Sequence, residues 1–134
     1  DGAEYDYYTT TKGILEKVKT HAGDVDFEVQ PELLSLFSNR DFGRYAGEKG
    51  EMNVCFISNN DITGGNSGSA MFNARGELLG LAFDGNWEAM SSDILYEPKM
   101  QRCIGVDVRY ILFMIEKYGK AGDLIRELKI VSGK

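Results

Sequence analysis

The chain has 134 residues, and its 21 acidic side chains outnumber the 15 basic ones, giving a formal net charge of -6 at pH 7. Hydrophobic residues make up 43% and charged residues 27% of the sequence, as in ordinary globular proteins, which argues against a disordered or low-complexity chain. The acidic balance argues against a nucleic-acid partner, because phosphate backbones select cationic surfaces. At this length we expect a single domain, 1–134, around one hydrophobic core.

The longest apolar run, residues 110–115, falls far short of the roughly 20 residues that cross a bilayer, so we expect no membrane span. Cys55 and Cys103 lie far apart in sequence, without the close pairing of zinc ligands, so we expect no metal and no other cofactor. We interpret them as buried thiols, with one disulfide as the alternative. The chain begins with Asp1 rather than an initiator methionine, which predicts a processed product or a piece of a longer polypeptide.

The first predicted element is an extended strand over residues 7–18, because this segment carries several β-branched and aromatic side chains. Pro31 is a favourable first residue for a short helix that runs to Phe37. Asp41 is placed to cap a second short turn that ends near Gly47. The first part of the chain therefore combines one strand with short helical segments.

From residue 52 onward the sequence changes to short apolar runs that predict strands. Residues 54–57 predict a core strand. Residues 70–72 and 78–83, joined by a turn that contains glycine, predict a hairpin. Residues 103–106 predict a further strand.

Asp107 occupies the N-cap position of a predicted helix, whose apolar residues from Val108 to Tyr118 are spaced along one face. Gly119 stands just beyond its end, and a final short helix is predicted over residues 123–128. Strands joined by hairpins and followed by a terminal helix favour a mostly β fold with peripheral helices, in the form of an antiparallel barrel or sandwich.

The segment Gly64-Gly65-Asn66-Ser67-Gly68-Ser69 follows the predicted core strand and holds a serine flanked by glycines. Glycine permits positive φ and lets a substrate carbonyl approach the backbone closely. The N–H groups of Gly65 and Ser67 can then converge on one point and stabilise an oxyanion, with the Ser67 hydroxyl as the nucleophile of an acyl transfer. The same composition is typical of a plain turn or of an anion-binding nest, so the residue types alone leave three interpretations.

Longer stretches around this loop resemble the bacterial dipeptidyl-peptidase 7/11 family of serine exopeptidases. The resembling segments are residues 59–69, 76–90, 97–98, 101–102, 106–110 and 124–128. The resemblance implies a chymotrypsin-like double barrel, interrupted by a helical domain, in a chain several times longer than this one. This sequence would then be the C-terminal segment of a periplasmic or cell-surface protein whose signal peptide is not part of it.

The resemblance implies that Ser67 is the catalytic nucleophile and that Gly65 and Ser67 supply the oxyanion donors. The catalytic histidine and aspartate of the family lie in the N-terminal part, which is therefore an expected partner of this chain. His21, the single histidine, lies in a polar loop and is interpreted as an exposed residue rather than as the base. Without a base the serine hydroxyl stays protonated, so the isolated chain is expected to be inactive.

The resemblance implies that two further residues select the substrate, one by its free N-terminus and one by its side chain before the scissile bond. Asp84 matches the family aspartate that binds the α-ammonium group, which suits release of dipeptides; a turn aspartate is the alternative. Gly85 matches the position where members selective for Asp or Glu carry an arginine, so we expect a preference for bulky hydrophobic residues before the scissile bond. The loop departs from the family where Ala70 and Met71, rather than a proline, follow Ser69.

Two other functions remain open at this level. A trypsin-like endopeptidase would keep the fold and Ser67 but would cleave peptides with blocked N-termini as well as free ones. A noncatalytic β-domain would instead serve association, because strands without their neighbours expose unpaired backbone groups and apolar surface. This second alternative predicts a homo-oligomer.

Overall fold

The computed structural model describes residues 6–47, 49–91, 94–95 and 97–131. In these ranges the chain forms β1 (Tyr8–Thr10), α1 (Thr11–Thr20), α2 (Pro31–Ser38), β2 (Asn53–Ser58), β3 (Ala70–Phe72), β4 (Leu78–Gly85), β5 (Cys103–Asp107), α3 (Val108–Phe113) and α4 (Gly122–Arg126). Shorter helical turns are the 3₁₀ turns Val25–Phe27, Gly43–Tyr45 and Trp87–Ser91 and the π-helical turn Met114–Tyr118. Helical segments hold more of the described residues than strands do, so the mostly β expectation is only partly met, by an antiparallel sheet accompanied by helices.

The five strands in the described ranges form one sheet in the order β1-β2-β5-β4-β3. β5 pairs antiparallel with both β2 and β4, and β4 pairs antiparallel with β3. The predicted hairpin is confirmed, with Ala70 opposite Leu81 and Met71 opposite Gly80. The segment predicted as a late strand, residues 103–106, lies at the centre of the sheet as β5.

Phe56 on β2 packs over the neighbouring strands at two glycines. A Cβ atom on Gly80 would lie 2.8 Å from the Phe56 ring and only 2.0 Å from the carbonyl oxygen of Val106. Gly105 is opposite Phe56 in the β-ladder, and a Cβ atom there would lie 3.0 Å from the same ring. These glycines therefore allow a close approach of ring and backbone that a side chain would block.

Replacing Gly80 by alanine should destabilise the fold by about 3 kcal/mol or more, because the added methyl group overlaps a backbone oxygen that the sheet holds in place. Gly13 is the matched control, since it lies inside α1 and an added methyl group there would have no described neighbour within 4 Å. Gly13→Ala should stabilise the chain by about 0.5–1 kcal/mol. Urea unfolding of both variants measures these changes, and equal midpoints would contradict the packing argument.

The contacts divide the chain into two compact units. One consists of the described parts of Asp1–Thr9 and Cys55–Val108, and the other of the described parts of Thr10–Val54 and Arg109–Lys134. The first unit holds most of the sheet, together with the loop that contains the serine. The second unit holds most of the helical residues.

The core of the second unit is aromatic. The ring centroid of Phe113 lies 6.0 Å from that of Phe37 and 6.1 Å from that of Phe42, and all three side chains are buried. Thr11, also buried, donates its backbone N–H to the carbonyl oxygen of Met52 at 3.0 Å. Fully burying side chains of this size contributes about 1.5–3 kcal/mol each, so this cluster stabilises the unit by several kcal/mol.

The strand predicted over residues 7–18 is wrong beyond Thr10, because α1 begins at Thr11. Most of the strand-forming residues that suggested it lie in or just before β1. Ile14 and Val18, which we counted for the strand, are four positions apart and therefore share one face of a helix. The helical spacing of the apolar residues outweighs the β-propensity of the single side chains.

The cap predicted at Asp41 is also wrong. The 3₁₀ turn Gly43–Tyr45 follows Phe42 without a side-chain cap, and Asp41 instead accepts a hydrogen bond from Nζ of Lys117 at 2.8 Å. The two residues are 76 positions apart, so the pairing depends on the tertiary structure and not on the local sequence.

The remaining helix predictions agree with the structure. α2 begins at Pro31, and α3 begins directly after Asp107 and continues through the π-helical turn to Tyr118. α4 ends at Arg126, two residues before the predicted end. In each case a proline, a capping position or a regular apolar spacing marks the element locally.

Candidate active site

The loop between β2 and β3 is held together by one asparagine. The side-chain oxygen of Asn66 accepts the N–H of Thr63 at 3.0 Å, and its backbone carbonyl accepts the N–H of Ser69 at 2.9 Å. Gly65 and Gly68 have φ angles of +94° and +89°, in the region that favours glycine. Asn66 and the two glycines therefore fix the bend that carries the predicted nucleophile.

Strand β4 fixes this loop from the other side. The N–H of Gly68 donates to the carbonyl oxygen of Ala82 at 2.7 Å. The N–H of Ala82 donates to the carbonyl oxygen of Ser69 at 2.9 Å. The register of β4 against β5 shifts directly after Ala82, which leaves Phe83 as the extra residue of a β-bulge. The bulge therefore lies where the strand meets the loop.

The Ser67 side chain is exposed, and its hydroxyl donates a hydrogen bond to the carbonyl oxygen of Phe83 at 3.2 Å. A backbone carbonyl orients a hydroxyl but does not remove its proton, so Ser67 is held in its protonated form. Attack on a carbonyl carbon requires a base to take that proton. Phe83 is a site residue that the sequence did not indicate, because the bulge depends on the pairing of β4 with β5.

Two backbone N–H groups in the loop are unoccupied. In the part of the chain that the structure describes, the N–H groups of Gly65 and Ser67 donate no hydrogen bond, whereas those of Asn66 and Gly68 do. Free N–H groups in a fixed loop are the donors that an oxyanion site requires. The two donors that the sequence predicted are therefore available.

A cavity of about 250 Å³ adjoins the loop. Ser67, Asp84 and Gly85 are among its lining residues, so the structure brings three of the four predicted site residues to one place. The fourth, Gly65, is not in the lining, although Gly64 beside it is. The cavity is therefore lined by both a hydroxyl group and a carboxylate group.

Asp84 is exposed, which differs from the desolvated carboxylate expected for binding an ammonium group. Its Oδ1 accepts the N–H of Gly85 at 2.8 Å. Its Oδ2 accepts no hydrogen bond from any described residue. Because an exposed ion pair contributes only about 0–1 kcal/mol, strong binding of an amine by Asp84 requires that the substrate cover it.

Gly85, which also lines the cavity, lies close to neighbouring apolar side chains. A Cβ atom there would lie 2.8 Å from the Cβ of Ala89 and 3.5 Å from Cγ2 of Ile62. Both of these apolar residues line the cavity, as does Met90, and no lysine or arginine is among its described lining residues. Ala89 and Met90 come from the 3₁₀ turn after β4, a contact that no motif in the sequence marks.

His21 is exposed, as expected, and its ring is engaged within its own segment. The ring stacks on that of Phe27 with centroids 4.0 Å apart. Its Nδ1 lies 2.9 Å from Oγ1 of Thr20 and 3.1 Å from the carbonyl oxygen of Lys17. These contacts assign it to the end of α1 rather than to proton transfer.

Both cysteines are free thiols, which agrees with the interpretation of the sequence; Cys103 is buried and Cys55 is half-buried. Burial raises the pKa of the Cys55 thiol above its ordinary value, and it raises the pKa of Cys103 in the same way. Both thiols are therefore protonated at neutral pH. Since the thiolate is the reactive form, neither cysteine is an activated nucleophile.

A second cavity, of about 480 Å³, lies in the helical unit and is lined in part by Arg44 and Glu116. The hydroxyl of Tyr45 donates to Glu116, and Arg44 pairs with the same carboxylate at 3.3 Å. The Tyr45 hydrogen bond, followed by the charge of Arg44, lowers the pKa of the Glu116 carboxyl. This carboxylate is ionised and already partnered, which indicates a structural role.

The described residues contain no group of three or more histidine, cysteine or carboxylate side chains arranged to hold a metal ion. No helix in the described ranges is both long enough and apolar enough to cross a membrane.

The sequence matches the family described as Peptidase S46 over residues 1–130. The chain belongs to the peptidase S46 family, which confirms the resemblance noted in the sequence. It is 58% identical over 133 residues to dipeptidyl-peptidase 7 of Porphyromonas endodontalis, covering 99% of this chain and 16% of that protein. It is 47% identical over 131 residues to the Asp/Glu-specific dipeptidyl-peptidase of Capnocytophaga gingivalis, covering 98% of this chain and 18% of that protein.

Among solved structures, the crystal structure of Porphyromonas endodontalis DPP11 in complex with the dipeptide Arg-Glu matches with a TM-score of 0.89 and 42% sequence identity. The match covers 95% of this chain and 18% of that chain. The chain therefore spans less than a fifth of the length of these relatives, which are dipeptidyl-peptidases.

Proposed function

We propose that Ser67 is the nucleophile of a serine-type dipeptidyl-peptidase and that this chain is the nucleophile-bearing part of a chymotrypsin-like catalytic domain. The observation that carries the proposal is the shared cavity of Ser67, Asp84 and Gly85, next to two unoccupied N–H groups. Membership of a peptidase family supports it. The remainder of the catalytic machinery belongs to other parts of a longer polypeptide.

The proposed reaction begins when a base from those other parts accepts the Ser67 proton, which breaks the hydrogen bond to the Phe83 carbonyl. Oγ of Ser67 then bonds to the carbonyl carbon of the substrate, and the carbonyl oxygen takes up the negative charge. The N–H groups of Gly65 and Ser67 donate to that oxygen, and each such donor lowers the barrier by about 3 kcal/mol. The base gives that proton to the leaving nitrogen, the C–N bond breaks and the amine leaves. Water then hydrolyses the ester, which releases the dipeptide and restores the Ser67 hydroxyl.

In this proposal Asp84 determines which peptide bond of the substrate is cleaved. Its free Oδ2 binds the α-ammonium group of the substrate, which places the second peptide bond of the substrate at Ser67 and so releases dipeptides. The substrate itself covers Asp84 and removes it from water. The carboxylate is thus exposed before binding and desolvated afterwards.

The side chain before the scissile bond is proposed to enter the cavity beside Gly85. The apolar side chains of Ile62, Ala89 and Met90 line that space, and no described cation is present there to pair with an acidic side chain. An unpaired carboxylate loses hydration on entering, which costs several kcal/mol. We therefore propose a preference for hydrophobic residues at this position.

Asp84→Asn tests the dipeptidyl-peptidase proposal against the endopeptidase alternative. The amide keeps the oxygen that accepts the N–H of Gly85 but removes the charge that binds the ammonium group. In the longer polypeptide we expect kcat/KM for peptides with a free N-terminus to fall about tenfold, mostly through KM, because a charge-assisted hydrogen bond contributes roughly 1.5 kcal/mol when partly exposed.

Asp61→Asn is the matched control, since Oδ1 of Asp61 accepts the N–H of the next residue at 2.9 Å in the same manner and Asp61 does not line the cavity. It should leave kcat/KM unchanged. Equal cleavage of N-acetylated and free peptides by the unmodified protein would favour the endopeptidase and remove the role of Asp84.

A further inference from the structure

Asn86 makes hydrogen bonds that hold the 3₁₀ turn Trp87–Ser91, and this turn contributes Ala89 and Met90 to the lining of the cavity. The side-chain Nδ2 of Asn86 donates to the carbonyl oxygen of Met100 and to Oε2 of Glu88, both at 2.8 Å, and its Oδ1 accepts the N–H of Arg102 at 2.8 Å. Its backbone carbonyl accepts the N–H of Ala89 at 2.9 Å. One side chain therefore connects the end of β4, the 3₁₀ turn and the segment before β5.

These hydrogen bonds fix the distance between Ala89 and Gly85. The methyl group of Ala89 lies 2.8 Å from where a Cβ of Gly85 would be, so the two residues meet without room for another carbon. Asn86 holds the turn through its backbone carbonyl, which accepts the N–H of Ala89, and through its side-chain hydrogen bonds. Moving the Ala89 methyl group away therefore requires that these hydrogen bonds break or lengthen. The methyl group of Ala89 therefore bounds the cavity beside Gly85.

We propose that Ala89 is a specificity-determining residue, whose methyl group limits how long a side chain the cavity accepts before the scissile bond. This inference rests on the proposed function, since it concerns the same cavity. In this inference Ala89 limits the length of the side chain that the cavity accepts, whereas the charge and size of residue 85 act independently of that limit.

The test uses the longer polypeptide and two dipeptidyl substrates that differ only in having phenylalanine or alanine before the scissile bond. Ala89→Gly should raise the phenylalanine-to-alanine ratio of kcat/KM about tenfold, since one carbon in a pocket changes discrimination by about that factor. Ala89→Val should lower the ratio by a similar factor. The alanine substrate reports whether each variant is folded and active.

Ala74→Gly and Ala74→Val are matched controls, because Ala74 is exposed in the turn between β3 and β4 and does not line the cavity. Both should leave the ratio unchanged. A ratio that stays constant in both Ala89 variants, while dipeptides are still released, overturns the inference alone. If the unmodified protein releases no dipeptides from either substrate, the proposed function fails instead, and the two failures are distinguishable.

Discussion

Replacing Ser67 by alanine should abolish release of dipeptides by the longer polypeptide, lowering kcat by about 10⁵-fold or more. Ser67 and Thr63 are the hydroxyl-bearing residues in the described lining of this cavity, and the proposed function gives the ester-forming step to Ser67. The free thiols cannot substitute for it, because burial keeps both of them protonated at neutral pH. Release of dipeptides from chromogenic substrates measures kcat, and a fluorophosphonate probe should label the unmodified protein at Ser67 but not the variant.

Ser69→Ala is the matched control for this experiment. Ser69 lies two residues further along the same loop, and its backbone N–H and carbonyl hold the bend through Asn66 and Ala82. Its hydroxyl makes no hydrogen bond with any described residue, so alanine preserves the loop. This variant should retain most of its activity. Full activity of Ser67→Ala, or equal loss in both variants, would contradict the assignment of the nucleophile.

Some parts of this site are readable from the sequence because they depend on local chemistry. Gly65 and Gly68 adopt positive φ, as a glycine-flanked serine loop predicts, and the hairpin of β3 and β4 follows from apolar runs on either side of a turn. Pro31 marks the start of α2 for the same reason, since its fixed φ suits the first helical turn. Local signals therefore located the glycine-flanked serine loop and the strand that carries Asp84.

Other parts depend on contacts between distant segments and have no local signal. The bulge at Phe83 depends on the pairing of β4 with β5. The position of the Phe83 carbonyl oxygen, which accepts the hydrogen bond of the Ser67 hydroxyl, depends in turn on the bulge. The exposure of Asp84 depends on which segments cover it, and the sequence had suggested a desolvated carboxylate instead. The approach of Ala89 to Gly85 results from hydrogen bonds of Asn86 to residues up to 16 positions away.

The contact between Gly85 and Ala89 predicts how the preference before the scissile bond can be changed from hydrophobic to acidic side chains. Gly85→Arg places a guanidinium group in the cavity, where it can pair with an acidic side chain before the scissile bond. The new Cβ, however, would lie 2.8 Å from that of Ala89, so the turn must shift before the arginine fits. We therefore expect the single variant to lose overall activity while its glutamate-to-leucine ratio of kcat/KM rises about tenfold.

Adding Ala89→Gly should remove that overlap and let the guanidinium group reach the substrate in a low-strain geometry. In the double variant we expect the glutamate-to-leucine ratio to rise about a hundredfold above that of the unmodified protein, with activity on glutamate substrates higher than in the single variant. Ala74→Arg adds the same charge outside the cavity and should leave the ratio unchanged. If Ala89→Gly brings no gain over Gly85→Arg alone, the overlap does not limit the arginine. If neither variant favours glutamate, the side chain before the scissile bond does not lie beside Gly85.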